Sequence, residues 1–477
     1  MNSSGKIVNL VNPSSNQDAA TKLYVDITSF PIGGIVMWSG AGVTLPSNWK
    51  LCDGTTYGSV TTPDLRSRFV IGATAVGASG GGSKGILVES NHTKVGPDIF
   101  GDGTNERFGY SVSISADGTI VAVGAPYNMG TSQSMNKGVT RVYKYNGTTW
   151  SQLGSDISGN GTVEYNGASV SLSADGTTVA VGAYLSNDNR GVVRVYKYNA
   201  LTNKWSQMVS DLTGTGTVGE EFGRSLSLSA DGTILAVRSS YMFRVYKYNG
   251  SQWNNFGSDV VTSGIIDYVS LSSDGTTLAI CMRYLNESYL GLTRIYKYDA
   301  ATNAWPHFGS DITGNTTNQS FGLSVSLSSN GTIVAVGVPL ANDVKGITRV
   351  YKYNATTNTW PQLGTNLFGD NIFDEESGSS VSLSADGTIV AVGGRKYNTY
   401  KGVTRLYKHD GNSWNQIGLN IFGDGTVESS GHSVSLSADG TSVAVGAPDS
   451  KSNKGVTRVY KVLNPNIYTV AFIMRIS

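Results

Sequence analysis

One phrase recurs seven times along the chain, and nothing else in the sequence constrains the fold as tightly. It reads SVSISADGTIVAVGAP at Ser111 to Pro126, SVSLSADGTTVAVGAY at Ser169 to Tyr184, and closely similar strings thereafter. Its turn residues, Asp117, Asp175, Asp231, Asp274, Asn330, Asp386 and Asp439, are spaced by 58, 56, 43, 56, 56 and 53 residues. A repeat of this length is one supersecondary unit that cannot bury its apolar side alone and must stack on its neighbours. Within each copy, Val112 and Ile114 alternate with Ser111, Ser113 and Ser115, the period of two that a strand requires. The Asp-Gly that follows is a strong hairpin signal. A third strand is read at Gly138 to Tyr145, GVTRVYKY, echoed by Arg-x-Tyr-Lys sets starting at Arg194, Arg244, Arg294, Arg349, Arg405 and Arg458. A fourth begins at Trp150, with counterparts at Trp205, Trp253, Trp305, Trp360 and Trp414. Four strands per unit, seven times, predicts an all-β chain built on a seven-bladed β-propeller of four-stranded blades over residues 91–462.

The tally of strands predicts how the ring closes. Seven turns and seven Arg-x-Tyr-Lys strands stand against six Trp-led fourth strands. The missing one is found at the front: KVGPDIFGDGT from Lys94 matches QIGLNIFGDGT from Gln416, with His92 where the tryptophan would stand. Residues 92–101 are therefore expected to complete the last blade, removing the open edges that a linear stack would expose. The tail, Ile467 to Ile476, is the competing candidate for that slot.

The repeat resembles the FG-GAP repeat of integrin-type propellers. Phe108-Gly109, Phe222-Gly223 and Phe321-Gly322 precede the first strand, and Gly124-Ala125-Pro126 and Gly446-Ala447-Pro448 follow the second. That family's calcium loop is a string of Asp and Asn oxygens, whereas this hairpin offers only Ser-Ala-Asp-Gly-Thr. One carboxylate cannot supply the six to eight oxygens that Ca²⁺ takes, so no metal is expected there. Before residue 90 the pattern changes. Ile7 to Asp26, with Asp18 as an N-cap and Tyr24-Val25-Asp26 at its end, resembles the phage tail-fibre repeat, read as an attachment segment over 1–29. PIGGIVMWSG from Pro31, LPSNWKLCDG from Leu45 and PDLRSRFVIGA from Pro63 resemble the phage tail collar domain, a small β-rich trimeric knob assigned to 30–77. Residues 78–90 are Gly/Ser-rich and read as a linker, and 463–477 as a C-terminal strand or tail. These resemblances imply a virion protein, trimeric through its N-terminal segment and collar, docked on other tail, baseplate or capsid proteins.

Composition narrows the chemistry. With 35 Lys+Arg against 34 Asp+Glu and only 14% charged residues, the chain has no electrostatic reason to bind nucleic acid, and a neutral surface suits uncharged ligands. The start, MNSSGKIVNL, lacks an apolar signal core, and the apolar stretch near Tyr468 is too short to span a bilayer, so neither signal-directed export nor membrane insertion is expected. Cys52 and Cys281 lie far apart and read as unpaired thiols. His92, His307, His409 and His432 sit in four different repeat contexts with no ligand spacing. No catalytic residue and no cofactor is assigned. Asp374, Glu375 and Glu376 are read as one polar loop, and a propeller glycosidase stays open as an alternative because two carboxylates can converge from distant blades. Arg141 and Tyr143 share a strand face, with Lys144 opposite, and are expected to stack between blades.

Loop parity separates two faces. Connections from first to second and from third to fourth strand fall on one, with uniform tight turns. Connections from second to third strand and from blade to blade fall on the other, and these vary: YNMGTSQSMNK, YLSNDN, RYLNESYL, LANDV, RKYNTY and DSKSN, with blade three almost lacking the loop. Function on a rigid scaffold is usually carried by such loops. Tyr127, Asn128, Tyr184, Asn187, Tyr284, Asn286, Asn342, Tyr397, Tyr400 and Asp449 are the candidate receptor-binding residues. The expectation is host attachment through a surface glycan or protein receptor; the alternative is a structural virion protein whose propeller binds another virion component.

Overall fold

The computed structural model describes residues 35–38, 49–51, 56–57, 60–61, 92–129, 136–161, 163–283, 291–314, 321–370, 374–462 and 471–475. It divides into two units, residues 1–89 with 464–477, and residues 90–463. In the first, Ala471–Arg475 pairs antiparallel with both Ile35–Trp38 and Trp49–Leu51 and lies between them. The tail is thus the middle strand of a small sheet whose other strands come from the opposite end of the sequence, and the repeat array is inserted between them. The segments read as fibre repeat (1–29) and linker (78–90) lie outside the described residues.

The second unit is a seven-bladed propeller of four-stranded antiparallel blades. Blade one shows the plan: Ser111–Ile114, Ile120–Ala125, Val139–Tyr145 and Trp150–Gln152 pair in sequence, and Ile157–Ser158 returns to the third strand after a four-residue break. The second strand is covered on both sides, so Val121, Ala122 and Val123 are all fully buried. Seven apolar clusters result, one at each blade boundary, such as Ile120, Val142, Leu172 and Val179 between blades one and two. Among the described residues, three helical segments of four residues each interrupt the sheets.

The serines of the phrase explain why the blades stack in a fixed register. Ser115 Oγ donates to Asp117 at 2.6 Å and accepts from Ile120 N at 2.9 Å, tying its own hairpin. Ser113 Oγ accepts from Leu172 N of the next blade at 3.0 Å, and Ser111 Oγ donates to Gly167 O of the next blade at 2.8 Å. The Ser113-type bond occurs at all seven boundaries, ending with Ile114 N donating to Ser435 Oγ at 3.1 Å. Beside it runs a cycle made of backbone alone. Ala116 N donates to Ala174 O, and so on through Ala230, Ser273, Ser329 and Ala385 to Ala438, whose N–H returns to Ala116 O; all seven bonds are 2.8–3.0 Å.

Closure follows the expected route. Thr93–Lys94 and Ile99–Phe100 both pair with Val456–Lys461, the third strand of blade seven. In five blades the leading indole donates across the boundary, as Trp205 Nε1 does to Leu153 O at 2.7 Å. His92 does the same job between blades six and seven, its Nε2 lying 3.0 Å from Ile417 O. One glycine is obligatory in this packing: a Cβ on Gly124 would meet Gly167 O of the next blade at 1.9 Å. Substitution Gly124→Ala should lower stability by about 1–3 kcal/mol through this overpacking, measured by chemical denaturation; a change below about 0.5 kcal/mol would contradict the close approach.

Candidate ligand-binding face

The two faces are held by different chemistry. On the first, each hairpin carboxylate is bound by its own neighbours: Asp117 accepts from Ser115 Oγ, Thr119 N and Thr119 Oγ. Burial pushes that carboxyl up, but these bonds outweigh it and hold it below the usual range. The donors of this turn are used locally, and it presents little variation from blade to blade.

On the second face, arginines that open the third strands reach buried glutamates in the blade-to-blade connections. Arg194 meets Glu164 at 2.9 Å and Asp211 at 2.9 Å, with Arg194 2% and Glu164 4% exposed. Arg141 with Glu106, Arg405 with Glu375, and Arg458 with Glu428 repeat the pair. The expectation that these arginines stack between blades is corrected: their heads are buried in ion pairs, because a guanidinium removed from water needs a charged partner. Tyr143, by contrast, packs between blades as expected, in the cluster with Ala444 and Val459 of blade seven and edge-on to Phe108 at 6.0 Å. The acidic run at 374–376 is a polar loop as read, but its last two carboxylates are turned inward. Glu375 is fully buried against Arg405, and Glu376 is held by Arg395 at 2.6 Å and Lys396 at 2.8 Å.

The second-to-third connections contain left-handed turns. Asn187 to Asn189, Asn342 to Val344, Asn398 to Tyr400 and Lys451 to Asn453 each run three residues at φ between 47° and 67°. Asn tolerates this region better than most residues, which accounts for Asn187 and Asn342 as backbone choices. Asn128 hydrogen-bonds to Glu106, and Tyr397 packs on Phe422 at 5.2 Å with the Arg405 head 5.7 Å from its ring. Tyr284 and Asn286 lie outside the described residues.

The remaining candidates do converge. Tyr127 and Tyr184 belong to a chain of aromatic rings with Tyr110 and Tyr165, at centroid spacings of 6.0, 5.0 and 5.8 Å. Arg107 lies over Tyr127 at 4.9 Å and Arg224 over Tyr184 at 5.4 Å. Tyr400 and Asp449 line a cleft of about 280 Å³ with Arg107, Arg395, Lys396 and His432. Asp449 also borders a wider groove of about 650 Å³ with Phe100, Asp424, Lys451 and Arg458. His432 Nδ1 sits 3.1 Å from Tyr110 O. A carbonyl only accepts, so Nδ1 carries the proton and Nε2 is left as an acceptor. Burial, helped by the nearby Arg395, pulls this ring down to about 4, so it is neutral near pH 7. Among the described residues no group of three or more His, Cys, Asp or Glu side chains is gathered to hold a metal.

Sequence reasoning missed Tyr110, Arg224 and His432. All three occupy the position seven before the turn residue, where the repeats carry Tyr110, Ala168, Arg224, Asp267, Leu323, Ser379 and His432. A variable column beside the constant serines was the signal, and it lies just outside the loops.

No known family model matches the chain, and no curated protein matches its sequence. Among solved structures, hydrazine synthase from Kuenenia stuttgartiensis is similar over 76% of this chain and 98% of its own, at 13% identity and a TM-score of 0.53. A Bacteroides uniformis protein whose proposed activity is that of a 6-phosphogluconolactonase is similar over 66% of this chain and 86% of its own, at 13% identity and a TM-score of 0.48. At such identity the first likeness speaks for the fold alone.

The His432 environment gives a pH prediction. Its folded pKa near 4 lies below the unfolded value of about 6.5, so the unfolded chain binds the extra proton between them. The corresponding stability is present above about pH 6.5 and is lost as pH falls toward 4. Ring NMR signals of His432 should show no titration between pH 8 and about 5.5; a midpoint near 6.5 would contradict its burial.

Proposed function

We propose that this chain is a virion tail-fibre or surface-fibre protein that attaches to the host, with the second face of the propeller binding a cell-surface glycan. The observation that carries this reading is the inequality of the faces. One repeats the same locally bonded hairpin, while the other changes from blade to blade and gathers four tyrosines into a continuous aromatic surface. Tyrosine rings with hydroxyl tips suit sugars, offering an apolar face and a hydrogen-bonding edge. The resemblance of residues 1–77 to tail-fibre and collar segments supports placement on a virion as a homotrimer, docked through that end on tail, baseplate or capsid proteins. Three propellers on one fibre would multiply a weak contact through effective concentration.

The reading is of a binding protein rather than an enzyme. The buried glutamates of the second face are turned inward onto arginines, which leaves them poorly placed as a catalytic acid and base. The test is a glycan array probed with the full chain and with a Tyr127→Ala, Tyr184→Ala double variant. The wild type should bind a defined set of glycans and the double variant should bind them at least about tenfold more weakly, or ~1.4 kcal/mol, with unchanged melting. Silence of the full chain beside binding to another virion protein would replace attachment by a structural role. Cleavage of arrayed polysaccharide would make it a glycosidase.

A further inference from the structure

The repeat breaks where blade three meets blade four. Seven residues after the turn aspartate, five blades carry glycine (124, 182, 337, 393 and 446), but blade three carries Arg238. Eight residues before the turn, six blades carry glycine and blade four carries Ile266; six before it, six carry serine and blade four carries Tyr268. A bulge between Ile266 and Tyr268 absorbs the change. Sites where a chain abandons its own local rule are candidates for function.

What the break installs is a guanidinium with unused donors. Arg238 is 1% exposed, and Nη2 reaches Glu221 at 3.3 Å. Its Nε and Nη1 have no hydrogen-bond partner among the described residues. A buried donor left without a partner carries its full desolvation penalty. Glu221 is shared, because Arg224 Nη1 also reaches it at 2.8 Å. Burial and the neighbouring Arg224 pull Arg238 down to about 10, although Glu221 and Asp267 oppose this. The boundary is also accessible. Only Ser239, Ser240 and Tyr241 join the second and third strands of blade three, and Arg224 and Tyr268 beside it are 48% and 44% exposed.

We propose that Arg238 and Arg224, with Tyr268 beside them, bind the carboxylate of an acidic sugar at the second-face end of the boundary between blades three and four. Guanidinium groups match carboxylates in shape and charge, and an exposed tyrosine ring flanks the sugar. This rests on the glycan-attachment reading and names the ligand class that the site would take.

The test titrates the full chain with methyl β-glucuronide, methyl β-glucoside and acetate, followed by calorimetry. The glucuronide should bind at least tenfold more tightly than either of the others. R224A, which installs the alanine that blade two has at Ala168, should weaken it at least tenfold with melting unchanged. R238G, which installs the glycine of five other blades, should do the same; if that variant fails to fold, R224A alone decides. Undetectable glucuronide binding, equal affinity for glucuronide and glucoside, or an unaffected R224A overturns the proposal. Acetate binding as tightly as the glucuronide overturns the sugar assignment. Neutral glycans on the array that bind independently of Arg224 would remove this site and keep the adhesin, whereas Arg224-dependent glucuronide binding with a silent array would keep the site and remove the adhesin.

Discussion

The hydrogen bonds that pass from each first strand to the next are the constraint from which the rest of this structure follows. Ser113 and its counterparts accept from a backbone N–H one blade onward at every boundary, and the Ala116 cycle beside them returns to its own start. A cycle has no terminal member, so no blade can open without breaking bonds at two boundaries. The close approach also decides composition. Backbone N–H groups pointing at a neighbouring blade must be paired, small residues must stand where chains cross, and the phrase therefore keeps serine, alanine and glycine in fixed places. The seven apolar clusters then supply most of the stabilisation without determining register, since valine against valine is indifferent to small shifts.

The opposite face is fastened by charge. Four buried Arg–Glu pairs hold the blade-to-blade connections. Such a pair is no large net source of stability, but removing one partner strands a buried charge at a cost of about 3–5 kcal/mol. The connections are thereby fixed while their outer residues stay free to differ. Blades four and five depart from this plan: among the described residues, Arg294 relies on Asp311 at 2.5 Å, and Arg349 on Asn366 at 3.2 Å. Blade three keeps its glutamate, but Glu220 is bound by Ser239 at 2.6 Å and by the Thr215 backbone instead. The irregular electrostatics and the irregular packing at Arg238 thus fall in the same part of the ring.

Much of the fold was legible because it is periodic. The Asp-Gly turns, the alternation of valine and serine, and His92 in the place of a tryptophan are local signals, and the structure uses each as read. The Arg–Glu pairs were missed although they recur: Glu106, Glu164, Glu220, Glu375 and Glu428 each stand eleven residues before the turn residue, and Arg194, Arg405 and Arg458 each follow their glutamate by 30, but no local pattern joins a connection to a strand so far along. The tail was ambiguous for the same reason: Ala471–Arg475 pairs with Ile35–Trp38 across almost the whole sequence. At the candidate site, loop composition picked out Tyr127 and Tyr184 but also Asn187 and Asn342, whose positive φ gives them a backbone role. Arg238 was hidden within a strand phrase, visible only as the one charged residue in a column of glycines and a cysteine.

The central claim is that seven blades form one closed cycle. Native-state hydrogen exchange of the amides of Ala116, Ala174, Ala230, Ser273, Ser329, Ala385 and Ala438 tests it directly, since each donates one bond of the ring. A closed ring predicts that all seven exchange slowly and together, at rates set by global unfolding. Exchange of Ala438 orders of magnitude faster than that of the other six would show a seam between blades seven and one, and would contradict closure.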